Sequence, residues 1–232
     1  GAASRAGAGM VRLASPGVTY DPMRPSEAVS LPLPPSGWAA DVLGAMERYH
    51  ALVVGPGMGR ADTTAASIRE VVGRAAVPVV VDGDGLFALA WSSQGPGATL
   101  KARTAPTVLT PHDGEYALLM GERVGADRFV AARRLAAATG AVTLLKGPTT
   151  IVAAPSGLAY AVTTGDERLA TAGSGDVLAG LCGSLLAQGV PAFQAAAAAA
   201  WIHGRAGAAG PARGLVAGDL PGLIPTVLEE LG

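Results

Sequence analysis

Apolar positions along this chain follow two alternating rhythms. Short uninterrupted runs rich in β-branched residues alternate with longer stretches whose apolar positions recur every three to four residues. The runs Met10–Ala14, Ala51–Val54, Val79–Asp82, Thr107–Thr110, Val142–Lys146, Thr150–Ala154 and Ala159–Thr163 predict strands. The stretches Ala39–Tyr49, Thr63–Arg74, Gly85–Trp91, Gly114–Met120, Asp127–Thr139, Asp176–Gln188, Phe193–Ala209 and Leu220–Leu231 predict helices. Uncharged strands such as Ala51–Val54 read as buried on both faces. Their alternation with helices predicts an α/β fold around a mostly parallel sheet. The runs flanking Ala154-Pro155-Ser156-Gly157 predict an antiparallel hairpin at one end. Pro32–Gly37 and Ser92–Gly97 read as turns rather than boundaries, so residues 1–232 are read as one domain. Gly1–Gly9 reads as the tail of a helix feeding the strand Met10–Ala14. A layered domain supplies a strand before such a helix, so the first strand is expected to be absent from this sequence.

Composition narrows the function classes. Half of the 232 residues are apolar and only 15% are charged, which excludes disorder and implies a surface either rich in Ala, Gly and Pro or buried in an oligomer. The net charge of −1 gives no electrostatic case for nucleic acid or an acidic membrane surface. The longest purely apolar run, Ala195–Ile202, falls far short of the about 20 residues a bilayer span needs. No signal peptide is visible, and the lone cysteine, Cys182, lies on an apolar helix face; both fit a reducing cytoplasm.

Candidate chemistry gathers where predicted strands end, the usual place for ligands in open α/β sheets. The small-residue loop Ala172-Gly173-Ser174-Gly175 leads into Asp176 and a helix. Backbone N–H groups and the helix N-terminus make an anion cradle there, with Asp176 as acceptor for a substrate hydroxyl. The plainer reading is a helix start with Gly180 and Gly183 as close-packing positions. Gly55-Pro56-Gly57-Met58-Gly59 is either a ligand-approach loop or a tight strand-to-helix turn; its spacing is not a dinucleotide fingerprint. Asp82 reads as a helix cap and turn acid, while Asp84 stays open as a metal or hydroxyl partner. Pro111 projects His112 toward the same rim, with Asp113 as cap and Glu115 in the first helical turn. Lys146-Gly147-Pro148-Thr149-Thr150 suits a diphosphate, or holds a snorkelling lysine in a hairpin turn. His203 and Arg205 read as helix-surface or interface residues, with lining of the site as the lesser reading.

Taken in order, Gly55–Gly59, Val81-Asp82-Gly83-Asp84, Thr110–Glu115, Lys146–Thr150 and Ala172–Gly180 resemble the NAD(P)H-hydrate dehydratase family, a branch of the ribokinase-like fold. The resemblance covers nearly the whole chain. It implies a layered α/β/α sandwich and repair of hydrated NADH and NADPH, driven by ADP in most bacterial members and by ATP in eukaryotic ones, with magnesium offsetting the phosphate charge. On the matching positions it implies that Gly57, Gly59 and His112 contact the hydrated cofactor. Lys146, Gly147, Pro148, Thr149, Thr150 and Gly175 would bind the adenine nucleotide. Asp176 would contact substrate and act as the catalytic base. No metal ligand is assigned. It further implies a homo-oligomer, with a tetramer favoured, and a fused or partner epimerase domain. Two departures stand out: the family's glycine-rich N-terminal segment has no counterpart before Gly1, and Gly165-Asp166 replaces the family's Gly-Asn, bringing an added acid close to the phosphate site. A vitamin or sugar kinase of the same fold, and a non-catalytic nucleotide binder, are the rival readings.

Overall fold

The computed structural model describes residues 1–231. A short helix α1 (Ala2–Arg5) leads into strand β1 (Val11–Leu13), which pairs in parallel with β2 (Ala28–Ser30). Helix α2 (Ala39–Ala45), prolonged by a 3-10 turn at Met46–Arg48, then feeds the main sheet. That sheet runs β3 (Leu52–Val54), β4 (Val79–Val81), β5 (Thr107–Leu109), β6 (Val142–Leu145), β7 (Thr150–Ala153), β8 (Ala159–Val162), in sequence order. Strands β3 to β6 are parallel; β7 and β8 return antiparallel. The helices between and after them are α3 (Asp62–Arg74), α4 (Asp84–Ala90), α5 (Pro96–Lys101), α6 (Asp113–Met120), α7 (Arg128–Thr139), α8 (Ser174–Ala187), α9 (Ala192–Ala209) and α10 (Leu220–Glu229).

Each strand splits its side chains between two cores. Val79, Val81, Leu109, Leu145 and Ile151 point into a core shared with α2 through α7. Val80, Val108, Leu144 and Val152 point into a second core with α1, α8, α9 and α10. The central strands carry no polar alternation because neither face meets water. Each such buried aliphatic side chain stabilises the fold by roughly 1.5–3 kcal/mol. Helix α8 lies directly on β3: a Cβ at Gly183 would overlap the Val53 side chain. Helix α1 docks on α8 in turn, the Ala6 carbonyl accepting from Ser184 Oγ at 3.2 Å and Gln188 Nε2 at 2.9 Å.

Two elements depart from the sequence reading. Strand β2 was not expected, and Ser92–Gly97, read as a turn, runs into helix α5 at Pro96. Helix α8 also starts earlier than expected, at Ser174, so Asp176 lies inside its first turn.

Strands β1 and β3 do not pair. A cleft of about 590 Å³ separates them, walled by Val11, Leu13, Trp38, Leu52, Val54 and Val177. Gly55, Pro56 and Asp176 also line it. Because β3 to β6 are parallel, their carboxyl ends share one rim. Gly55, Asp82, His112 and Lys146 all emerge there.

Candidate active site

At the centre of the rim is an ion pair. Asp82, just past β4, is only 2% exposed, and its Oδ1 accepts from Lys146 Nζ at 2.8 Å. Lys146, just past β6, donates its own N–H to the Pro111 carbonyl at 2.8 Å, which ties the β5 and β6 exits together. Its ammonium also lies 3.7 Å from Glu115 Oε2. The cap of α4 is Gly83, with no side-chain bond, so the expected capping role for Asp82 does not hold. A carboxylate buried this far needs a countercharge, and Lys146 supplies it.

The anion loop stands directly over this pair. A Cβ placed on Gly175 would lie 3.4 Å from Lys146 Nζ and 3.7 Å from Asp82 Oδ2. Gly173, at φ +89°, makes the left-handed turn into α8. The N–H groups of Ser174, Asp176 and Val177 turn back to the Thr171 and Gly173 carbonyls; the Gly175 N–H is not among these donors. The cradle is therefore narrower than the sequence suggested. Asp176 is exposed at the cleft, and desolvation by the surrounding walls raises its pKa, with Asp82 adding repulsion and Lys146 opposing both.

Behind the loop lies His203, read first as a surface or interface residue but only 7% exposed. It rests against the Ser174 backbone, burial holds its pKa down to about 4, and its Nε2 has no hydrogen-bond partner. The reason is α9 itself, whose glycines let the chain come close: a Cβ at Gly204 would overlap Thr164. Arg205 is exposed as expected and pairs with Glu230 at 2.7 Å.

Asp84 acts as a latch on the glycine turn. Its Oδ2 accepts from the Gly59 N–H at 2.8 Å and its Oδ1 from Arg60 Nε at 2.9 Å. Gly57 remains exposed, at φ +64°. His112 and Glu115 form a reciprocal cap on α6: His112 Nδ1 accepts from the Gly114 and Glu115 amides, and Glu115 Oε2 accepts from the His112 N–H. The capping role expected of Asp113 thus falls to His112. Asp113 instead pairs with Arg128 Nη1 at 2.9 Å. Arg128 Nη2 donates to the Lys146 carbonyl at 2.8 Å, beneath Gly147. Pro148 and Thr149 form the β6–β7 turn, and Thr150 opens β7. Asp166 is neutralised by Arg168, which holds its pKa down to about 2. It therefore adds no free acid to the rim.

The parallel sheet, the rim of glycine turns and the acid at the start of α8 set the frame for comparison with known proteins. The sequence profile described as NAD(P)H-hydrate dehydratase matches residues 1–228. This chain belongs to the NAD(P)H-hydrate dehydratase family. The bifunctional NAD(P)H-hydrate repair enzyme Nnr of Salinibacter ruber is 42% identical over 245 residues, covering 99% of this chain and 44% of that protein. The ADP-dependent (S)-NAD(P)H-hydrate dehydratase of Neisseria meningitidis serogroup B is 42% identical over 190 residues, covering 78% of this chain and 64% of that one. The chain thus spans less than half of the Salinibacter protein. Among solved structures, the ADP/ATP-dependent NAD(P)H-hydrate dehydratase from Bacillus subtilis, co-crystallized with ATP/Mg2+, superimposes with a TM-score of 0.73 at 27% identity, over 89% of this chain and 73% of that one. A ribokinase-like superfamily protein from Enterococcus faecalis shares the fold, with a TM-score of 0.83 at 22% identity over 99% of this chain and 80% of that one. The dehydratase family's fold here is the ribokinase-like α/β sandwich.

Arg128 is the residue of this candidate site that sequence reasoning missed; Asp82 was read chiefly as a cap and turn acid, and His203 only as a lesser candidate for lining the site. Asp82 carried a signal, an acid ending an all-valine strand. Arg128 and His203 lie on helices far along the chain from the groups they touch.

Proposed function

We propose that this chain dehydrates the S-epimer of hydrated NADH and NADPH back to NAD(P)H, coupled to hydrolysis of ADP to AMP and phosphate. The observation that carries this reading is the setting of Asp176. It stands in the first turn of α8, lines an open cleft, and shares its electrostatic field with Asp82 and Lys146. Family membership supplies the substrate class.

Asp176 accepts the proton of the ring hydroxyl as that oxygen attacks the terminal phosphorus of ADP, and AMP departs. Its upward-shifted pKa strengthens it as a proton acceptor. Lys146, the Gly175 amide and the N-terminus of α8 balance the charge that develops on the transferred group. The ring nitrogen then pushes its lone pair toward the adjoining carbon, and the carbon–oxygen bond breaks with release of phosphate. Loss of a proton from the next ring carbon restores the dihydropyridine. Phosphate leaves far more readily than hydroxide, which is why a nucleotide is consumed.

In this reading Gly57, Gly59 and His112 border the hydrated nicotinamide, while Lys146 through Thr150 and Gly175 hold the nucleotide. Among the described residues, no group of three or more His, Cys, Asp or Glu side chains is placed to hold a metal. Magnesium in this reading comes with the nucleotide. The ion keeps waters and needs few carboxylates, so it enters as counter-ion of the nucleotide phosphates, with no step routed through it. Residues 1–232 are taken as one domain. Exposed Met10, Tyr20, Met23 and Val29 support self-association, a tetramer being favoured, and an epimerase supplies the S-epimer. A cytoplasmic setting suits Cys182, whose thiol burial pushes up to about 12. Among the described residues no helix is long and apolar enough to cross a membrane.

Phosphorus NMR of a reaction containing NADH hydrate and ADP tests the reading. AMP and free phosphate should grow together as NADH returns. A stable phosphoester would assign the chain to the small-molecule kinases instead.

A further inference from the structure

We propose that Asp82 is a positioning residue of this centre, fixing the Lys146 ammonium beneath Gly175 so that it meets the transferred phosphoryl group. The proposal rests on the dehydratase reading of the site. Its starting point is that two carboxylates compete for one lysine. Asp82 holds Lys146 Nζ at 2.8 Å on the anion-loop side, and Glu115 waits at 3.7 Å on the α6 side. Glu115 is already committed to the His112 N–H, whereas Asp82 Oδ1 accepts only from Lys146 among the described residues. Asp82 is also rigid, because its own backbone is held by the end of β3 and the first turn of α4. Its N–H donates to the Val54 carbonyl at 3.1 Å, and its carbonyl accepts from the Gly85 N–H at 3.0 Å. Gly55 and Gly85 have no side chains to disturb that contact; a Cβ at Gly55 would overlap the Asp82 carbonyl. Removing the Asp82 charge therefore leaves Lys146 free to swing toward Glu115 and away from Gly175.

Asp82 has a second effect through Asp176. The charged groups acting on Asp176 are Asp82 after β4 and Lys146 after β6; Glu115, paired with His112 at the start of α6, faces Lys146, and His203 on α9 lies against the Ser174 backbone. Asp82 repels the ionised form of Asp176 and Lys146 stabilises it. An uncharged residue at 82 removes that repulsion, and the release of Lys146 removes the attraction that opposes it.

The test compares the parent with Asp82→Asn and Asp82→Glu. In Asp82→Asn, kcat should fall ~10–100-fold, the scale of a misplaced catalytic group. KM for ADP should change less than kcat, since Lys146 is only one of the groups proposed to hold the nucleotide. Asp82→Glu keeps the charge and the pairing partner for Lys146 but shifts them, so kcat should fall less than in Asp82→Asn. A kcat within twofold of the parent in both variants, or a KM for ADP that rises as much as kcat falls in Asp82→Asn, would overturn the proposal. So would failure of both variants to fold, which would make Asp82 a stability residue. Lys146 acylation by acetic anhydride reads the same placement without the hydrate, with Lys101 as internal reference. Asp82→Asn should label Lys146 faster than the parent does. If the parent shows no hydrate turnover, the functional reading fails alone and the labelling comparison decides Asp82.

Discussion

Arg128 lies across Gly147. Its Nη2 donates to the Lys146 carbonyl at 2.8 Å, and a Cβ at Gly147 would overlap its guanidinium. The loop proposed to hold the nucleotide is thus shaped from below by a side chain that also grips Asp113 on α6. Gly147→Ala should displace Arg128 and tilt the loop. The expected outcome is a raised KM for ADP with a smaller change in kcat, and a stability loss of roughly 1–3 kcal/mol, as in other overpacked sites. Nucleotide titration and a denaturant melt check both; an unchanged KM would sever the loop from nucleotide binding.

Asp84 ties the glycine turn through the Gly59 N–H and Arg60. Asp84→Ala should free that turn while leaving Lys146 and Asp82 in place. We expect KM for the hydrate to rise and KM for ADP to hold. Steady-state kinetics with each substrate varied in turn separates the two, and an equal rise in both would place Asp84 elsewhere.

His203 makes stability fall in acid. Its pKa is held near 4, below the ordinary 6.5, because its ring is buried neutral. That contribution is complete above 6.5 and is lost as pH falls through about 4. At about 1.4 kcal/mol per pH unit the loss is on the order of 3 kcal/mol. His203→Gln should flatten this part of the curve. Melts taken at stepped pH decide it; parallel curves for parent and variant would mean another group carries the acid limb.

Asp176 has the opposite sign. Its folded pKa lies above the ordinary 3.8, so its stabilising share is present below 3.8 and lost as pH rises through the raised value. Asp176→Asn should therefore melt at a higher temperature than the parent at neutral pH, with the gain vanishing in acid. A variant less stable at neutral pH would argue against a desolvated carboxylate there.

Much of the fold was legible because its signals are local. Val79–Val81 must be a central strand, since nothing polar interrupts it, and Gly121 and Gly140 end α6 and α7 at left-handed φ values of 71° and 73°. Strand β2 was hidden because its partner β1 lies across a proline-rich loop, and of Ala28-Val29-Ser30 only Ala28 is buried, so no apolar run marks it. Helix α5 was hidden by Gly95-Pro96-Gly97, a string that reads as a turn until Pro96 sets its first residue. In the site, motifs located the residues but not their pairings. The Asp82–Lys146 bond spans 64 positions and depends on strand order, which sequence rhythm does not reveal. The burial of His203 likewise follows from how closely α9 meets Thr164.

The most direct test sets the parent beside Asp176→Asn, each with NADH hydrate and ADP, and follows the reduced-nicotinamide absorbance. The parent should restore it, releasing phosphate in equal amount, and the variant should be slower by at least ~100-fold, the scale of losing a general base. Recovery at parental rates in the variant, with its fold intact, would contradict the account.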